Sequence, residues 1–272
     1  MSAARAVITD IDYPDVDIEQ AIFHAAGIAL EVHQVKDGPR LVDLVREADG
    51  VIVQYARMTR EVLSGMTRCR MVARYGVGLD TIDLAAAGEL GIAVRNVPDY
   101  CTEEVADHAL ALMLAVLRGV HTLGNVVASG EWSLEAVRPL HRIRGLSLGL
   151  MGCGRIGTAM ARRGTALGMR VLAFDPLLSD NQVRWRGASP VALEDLLRES
   201  DVLSLHRPAV LGEPPAIGAA ELDRVKRGVL VVNTARGTLI DEGALRAALL
   251  DGQVGFAALD VLQTEPPVSR EL

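Results

Sequence analysis

Aromatic residues make up only 3% of this 272-residue chain, although half of it is hydrophobic. So aliphatic a composition, with 26 glycines, suits an Ala/Val/Leu-rich α/β protein and excludes a disordered one. Positive charge is also short. The formal net charge of -7 leaves no basic footprint, which argues against direct contact with nucleic acid. Cysteine is rarer still: Cys69, Cys101 and Cys153 are odd in number and far apart, with no CxxC or Cys/His spacing. They read as reduced intracellular thiols, and no metal site is expected. The longest apolar run, Ala109 to Leu117, is too short to cross a bilayer, and no charged segment followed by an apolar one opens the chain. These absences predict a soluble, cytoplasmic protein of one large domain or two small ones.

What is present is alternation. "RAVIT", "ALEVHQ", "GVIVQ", "RMVAR" and "IAVRNV" have the β-branched content of strands, and amphipathic stretches such as "IEQAIFHAAG" and "LVDLVREADG" separate them. Strands alternating with helices of this length predict right-handed crossovers and a parallel sheet. Near residue 98 the pattern changes. "VPDYCTEEVADHALALMLAVLRGV" predicts one long helix, with Thr102 as N-cap and Glu103 and Glu104 placed to suit its dipole. After the less regular "ASGEWSLEAVRPLHRIRG", a second alternation follows with strands "SLGLMG", "MRVLAF", "DVLSLH", "GVLVVN" and "GFAALD". Two α/β domains are expected, residues 1–98 and 99–272.

Gly152, Gly154 and Gly157 stand in GxGxxG spacing, weak evidence alone in so glycine-rich a chain. Their setting is stronger: an apolar strand enters, a helix leaves, and a second strand ends at Asp175, 18 residues beyond Gly157. Gly152 permits the tight turn, Gly154 lets backbone approach a pyrophosphate, and Gly157 allows close helix packing. Asp175 can accept both ribose hydroxyls of NAD and repel a 2′-phosphate, so NADH is expected over NADPH, with no compensating arginine alongside. A bare glycine turn before an Asp-Pro turn is the plainer reading. Ligands of open parallel sheets sit beyond the carboxyl ends of strands. Those ends carry His206, the run Asn233-Thr234-Ala235-Arg236, and Asp260. The Arg236 guanidinium can grip a carboxylate with two parallel hydrogen bonds and polarise an adjacent carbonyl.

"GCGRIG…DP", "SLHRP", "VLVVNTARGTLIDEGAL" and "GFAALDVLQTEP" together resemble the D-isomer-specific 2-hydroxyacid dehydrogenase family. "RYGVGLDTIDLAAAGELGIAVRNVPDYCTEEVADHALAL" resembles the same family's hinge region, and "NVPDYCTEEVADH" and "FDPLLSD" look closest to its C-terminal-binding-protein-like branch. The resemblance implies a flavodoxin-like substrate domain and a Rossmann NAD-binding domain. It also implies hydride transfer between NAD(H) and a 2-hydroxy or 2-keto acid, in a homodimer formed through the helix from Thr102 and "EWSLEAVRPL". Carried over by position, Arg155 and Ile156 lie on the pyrophosphate and Asp175 on the adenosine ribose. Thr102, His206, Thr234 and Ala235 flank the dinucleotide, and Asp260 takes the nicotinamide carboxamide. Arg236 becomes the catalytic arginine and Glu265 the carboxylate orienting a catalytic histidine. Arg74, Val77 and Gly78 bind substrate.

That histidine would lie beyond Glu265 on a further strand, followed by a helix returning to the first domain. The six histidines of this chain all precede Glu265. The expectation is a chain that binds NADH and turns over keto acids barely, since an exposed Glu with a pKa of about 4.3 is ionised at pH 7 and poorly replaces a proton donor. A non-enzymatic NAD-sensing corepressor or scaffold is the alternative. "AVITDIDYPD" also mimics a phosphatase DxD loop with Asp10 and Asp12, although the Lys and acidic partners of such a site are missing.

Overall fold

The computed structural model describes residues 4–210 and 212–267; Leu272, on which the expected lack of a return helix rests, lies outside them. The chain forms two compact units, Met1–Tyr100 and Cys101–Leu272.

The first unit alternates β1 (Arg5–Ile8), α1 (Asp17–Ala25), β2 (Ala29–Val32), α2 (Gly38–Val45), β3 (Gly50–Val53), α3 (Arg60–Ser64), β4 (Met71–Arg74), α4 (Leu84–Glu89) and β5 (Ala93–Arg95). All pairings are parallel, in the order β2-β1-β3-β4-β5, which is the flavodoxin-like arrangement. Leu41 and Val45 of α2, Leu63 of α3 and Ala86 of α4 close over Val51, Val53 and Val72 of the sheet. Thr59 and Asp83 cap α3 and α4 by accepting from the Val62 and Ala86 N–H groups.

Asp10 is fully buried beyond β1. Its carboxylate accepts from the backbone N–H groups of Gln54, Tyr55 and Ala56, at 3.2, 2.7 and 3.1 Å, and from the Thr9 hydroxyl at 2.8 Å. The phosphatase-like reading of Asp10 is thereby corrected: the group is consumed in tying the chain after β1 to the chain after β3.

The second unit contains α5 (Thr102–Leu117), α6 (Val120–Ala128), β6 (Ser147–Met151), α7 (Arg155–Ala166), β7 (Arg170–Phe174), α8 (Asp180–Trp185), β8 (Ser189–Pro190) and α9 (Leu193–Glu199). It continues with β9 (Val202–Leu205), α10 (Ala219–Leu222), β10 (Val229–Asn233), α11 (Glu242–Leu250) and β11 (Val254–Leu259). The parallel sheet runs β11-β10-β9-β6-β7-β8. Numbered within the unit this is 3-2-1-4-5-6 read from the other edge, the order of dinucleotide-binding sheets, with the reversal between β6 and β9. Strands β6, β9 and β10 are buried along their whole length, as helices on both faces demand.

The single long helix expected from residue 98 is corrected. Gly119 adopts φ +62, in the left-handed region, and α5 and α6 meet there at 57°. Thr102 is the first helical residue rather than the cap; Cys101 holds the capping position without a side-chain hydrogen bond. Arg163 of α7 ties the start of α5 down by pairing with Glu103 and Asp107 at 2.8 and 2.6 Å. Among the described residues no single helix is long and apolar enough to cross a membrane.

Candidate active site

The reversal between β6 and β9 sets the glycine turn. Gly152 has φ +98, and a Cβ there would stand 2.8 Å from the His206 carbonyl, so β6 hands over to the turn directly against the end of β9. A Cβ on Gly157 would stand 2.2 Å from the Gly152 oxygen, which is why α7 can start so close to the strand. Gly154 differs: a Cβ there meets no atom within 4 Å, so packing does not require glycine. Close backbone approach by a pyrophosphate does, and this cradle at a twelve-residue helix fits one. Arg155 and Ile156 follow as the first residues of α7, the former exposed.

Asp175 ends β7 with both carboxylate oxygens engaged: Oδ2 accepts from the Cys153 N–H at 2.9 Å and Oδ1 from the Leu177 N–H at 3.0 Å. The carboxylate therefore points at the glycine turn, with lone pairs to spare for ribose hydroxyls. The expectation of no arginine alongside is corrected. Arg186, just past α8, donates from Nη1 to the Cys153 carbonyl at 2.5 Å. Nothing in the sequence spacing marks Arg186, because a helix separates it from β7.

Beyond β9, His206 bonds the buried Ser204 hydroxyl at 2.9 Å, and burial pushes its pKa down to about 4. Beyond β10, the Asn233 side chain builds the turn: Oδ1 accepts from the Ala235 N–H at 3.0 Å and Nδ2 donates to the Arg236 carbonyl at 2.9 Å. Thr234 carries a buried hydroxyl without a hydrogen-bond partner among the described residues, which a polar group of a bound dinucleotide fits. Arg236 is half-buried and donates from Nη1 to the Ala235 carbonyl at 2.7 Å. Gly237 next to it is required by contact, since a Cβ would fall 1.9 Å from the Leu262 carbonyl carbon. With β9 between them, the ends of β6 and β10 lie roughly 10 Å apart.

Asp260, after β11, shares a hydrogen bond of 3.2 Å with His108 of α5, a partner the sequence did not suggest. Glu265 is exposed and accepts from the Leu262 N–H at 2.8 Å, a bond within its own turn. In the first unit, Arg74 at the end of β4 donates to the Gln54 carbonyl at 3.2 Å and to the Gly78 carbonyl, while Asn96 donates to the Val77 carbonyl at 2.7 Å. Arg74, Val77 and Gly78 thus share one turn.

A glycine turn at the switch point of a six-stranded parallel sheet, with an acidic strand end beside it, defines a dinucleotide-binding α/β protein. Residues 110–272 match the family described as D-isomer specific 2-hydroxyacid dehydrogenase, NAD binding domain, and the chain belongs to this family. It is 38% identical to D-3-phosphoglycerate dehydrogenase of Archaeoglobus fulgidus over 92% of this chain and 48% of that one. It is 38% identical to glyoxylate reductase of Korarchaeum cryptofilum over 86% of this chain and 69% of that one. The chain thus spans about half the length of the first of these relatives. Among solved structures, D-lactate dehydrogenase from Aquifex aeolicus, complexed with NAD and lactic acid, superposes with a TM-score of 0.88. That likeness covers 98% of this chain and 82% of the other at 29% identity. The second unit is an NAD-binding domain. These relatives are reductases and dehydrogenases, and they do not single out the C-terminal-binding-protein-like branch.

Proposed function

We propose that the protein interconverts a small 2-hydroxy acid and the corresponding 2-keto acid by hydride transfer with NAD(H). The observation that carries this reading is Arg236, set beyond β10 by the two Asn233 hydrogen bonds, roughly 10 Å across the sheet from the glycine turn. A guanidinium on a turn fixed in this way can hold a substrate carboxylate and polarise the neighbouring carbonyl without reorganising. Bound NAD(H) supplies the hydride acceptor or donor. The chain's own groups then have separate tasks. Gly152 to Gly157 would hold the pyrophosphate and Asp175 the adenosine ribose, and Thr102, Thr234 and Ala235 would flank the dinucleotide. Asp260, bonded on one oxygen to His108, would take the carboxamide with its other oxygen. Arg74, Val77 and Gly78 would bind substrate, and Glu265 would orient a proton donor. His206, uncharged at pH 7 with a pKa of about 4, suits a neutral hydrogen-bonding role beside the cofactor better than proton delivery.

The names of the relatives, glyoxylate reductase and glycerate dehydrogenase among them, favour a small substrate. The test is loss of NADH absorbance at 340 nm across a panel of 2-keto acids, glyoxylate and hydroxypyruvate included. Arg236→Lys should lower kcat/KM by about 100-fold or more, because a point charge replaces a planar fork, while NADH affinity stays unchanged. Near-normal turnover in that variant removes Arg236 from the chemistry.

The assembly proposed is a homodimer through α6 and the segment after it, where Val120, Val127, Trp132 and Leu134 are exposed, Trp132 at 92%. Sedimentation should give a dimer at micromolar concentration, and a monomer there would reject it.

A further inference from the structure

Arg186 is half-buried, yet among the described residues its side chain hydrogen-bonds only to the Cys153 carbonyl and pairs with no carboxylate. Two other half-buried arginines, Arg163 and Arg5, are paired with carboxylates. Arg163 holds two carboxylates, and Arg5 holds Glu31 at 2.7 Å. A guanidinium withdrawn from water with most of its N–H groups uncommitted is suited to an anion. Its position says which one. Cys153 is held through both of its backbone polar groups, its N–H by Asp175 and its carbonyl by Arg186, so the acid and the base meet at one residue of the glycine turn.

We infer that Arg186 is a cofactor-specificity residue that binds the 2′-phosphate of NADP(H), so that the protein accepts NADPH as well as NADH. Asp175 alone would repel that phosphate. With Arg186 bonded to the same residue the local charge is balanced, and the free edge of the planar fork matches a phosphate. NADH keeps its ribose contacts to Asp175 and needs nothing from Arg186. The inference rests on the reading that Gly152 to Gly157 and Asp175 hold the adenosine half of the dinucleotide.

The experiment is fluorescence titration of the unaltered protein, Arg186→Met and Arg186→Lys with NADH and with NADPH. In the unaltered protein NADPH should bind within about tenfold of NADH. Arg186→Met should weaken NADPH by about 30-fold and NADH by less than about threefold, the lost interaction being a charge-assisted hydrogen bond. Arg186→Lys should fall between, since a point charge keeps attraction without the fork. NADH binding by the variants certifies that they are folded. Absence of NADH binding to the unaltered protein would overturn the site reading and this inference with it. If NADH binds while NADPH is more than about 100-fold weaker, the inference alone fails. It also fails if Arg186→Met weakens both cofactors equally, which would place Arg186 on a phosphate they share.

Discussion

The two units use the same strand–helix alternation and hold their strand ends in opposite ways. In the first, a buried charge does it: Asp10 gathers three backbone N–H groups from the far side of β3. In the second, beside the Asn233 and Asp175 hydrogen bonds, the absence of side chains does much of it. Gly149, Gly152, Gly157, Gly164, Gly237 and Gly255 each sit where a Cβ would come within 3 Å of another atom, often of backbone. The close fit brings β6, β9 and α7 near enough for N–H groups to face a phosphate. A buried carboxylate in that position would repel it. A unit that binds an anion on its backbone keeps its bracing acid, Asp175, to one side of the turn on the Cys153 N–H, whereas a unit that binds no anion there can bury one among its loop N–H groups.

The comparison is broken most severely at Gly157. An alanine there would press its methyl against the Gly152 oxygen, 2.2 Å away, and helix and turn cannot both stay in place. Gly157→Ala should cost about 3 kcal/mol or more and abolish NADH binding, read by thermal melting and titration.

The counterpart in the first unit is Asp10→Asn. The amide offers one acceptor oxygen, and its NH2 confronts N–H donors, leaving buried groups unsatisfied at about 2–3 kcal/mol. Urea unfolding followed by hydrogen exchange should show the loss in residues 5–95, with NADH binding retained by the second unit. Loss of NADH binding in this variant would mean that the two bracing systems are not independent.

The smallest effect separates the units by pH. Half-buried His206 has its pKa lowered from 6.5 to about 4 by desolvation, so as pH falls the unfolded chain takes up its proton first. The second unit should therefore hold its full stability above pH 6.5 and lose roughly 2 kcal/mol between pH 6.5 and 4, less than the full shift would give because the ring is not wholly closed off. Glu31 in the first unit is lowered from 4.5 to about 2, chiefly by the Arg5 hydrogen bond, and its contribution persists until pH drops below 4.5. Melting curves from pH 8 to 4 should show the second unit weakening first, and His206→Asn should flatten that slope. An unchanged slope would assign the acid sensitivity to other groups.

Much of this was legible in the residues. The β-branched runs found ten of the eleven strands among the described residues, most plainly β6, β9 and β10, which are buried on both faces. Ser189–Pro190 escaped, being two residues at an edge with a proline. The break at Gly119 escaped because the apolar pattern continues across it; Val137, which leans on that glycine, is remote in sequence. The glycine turn and Asp175 were readable since their spacing is local. Arg186, the Asp10 nest and the His108–Asp260 bond were not, because each depends on where separate segments of chain meet.

The strand order has one more consequence, for the route by which the second unit folds. Strands β6 and β9 are neighbours, and the Ser147 N–H reaches the carboxylate of Asp201, 54 positions further along the chain. The glycine turn rests on the backbone of His206, so it has no floor until that long loop has closed. Loop closure must be completed before the contact is gained, which makes the turn a late product of folding, however local its sequence signature. A dinucleotide seated there therefore acts on the finished sheet: it lengthens the life of the folded state and leaves the path into it as slow as before.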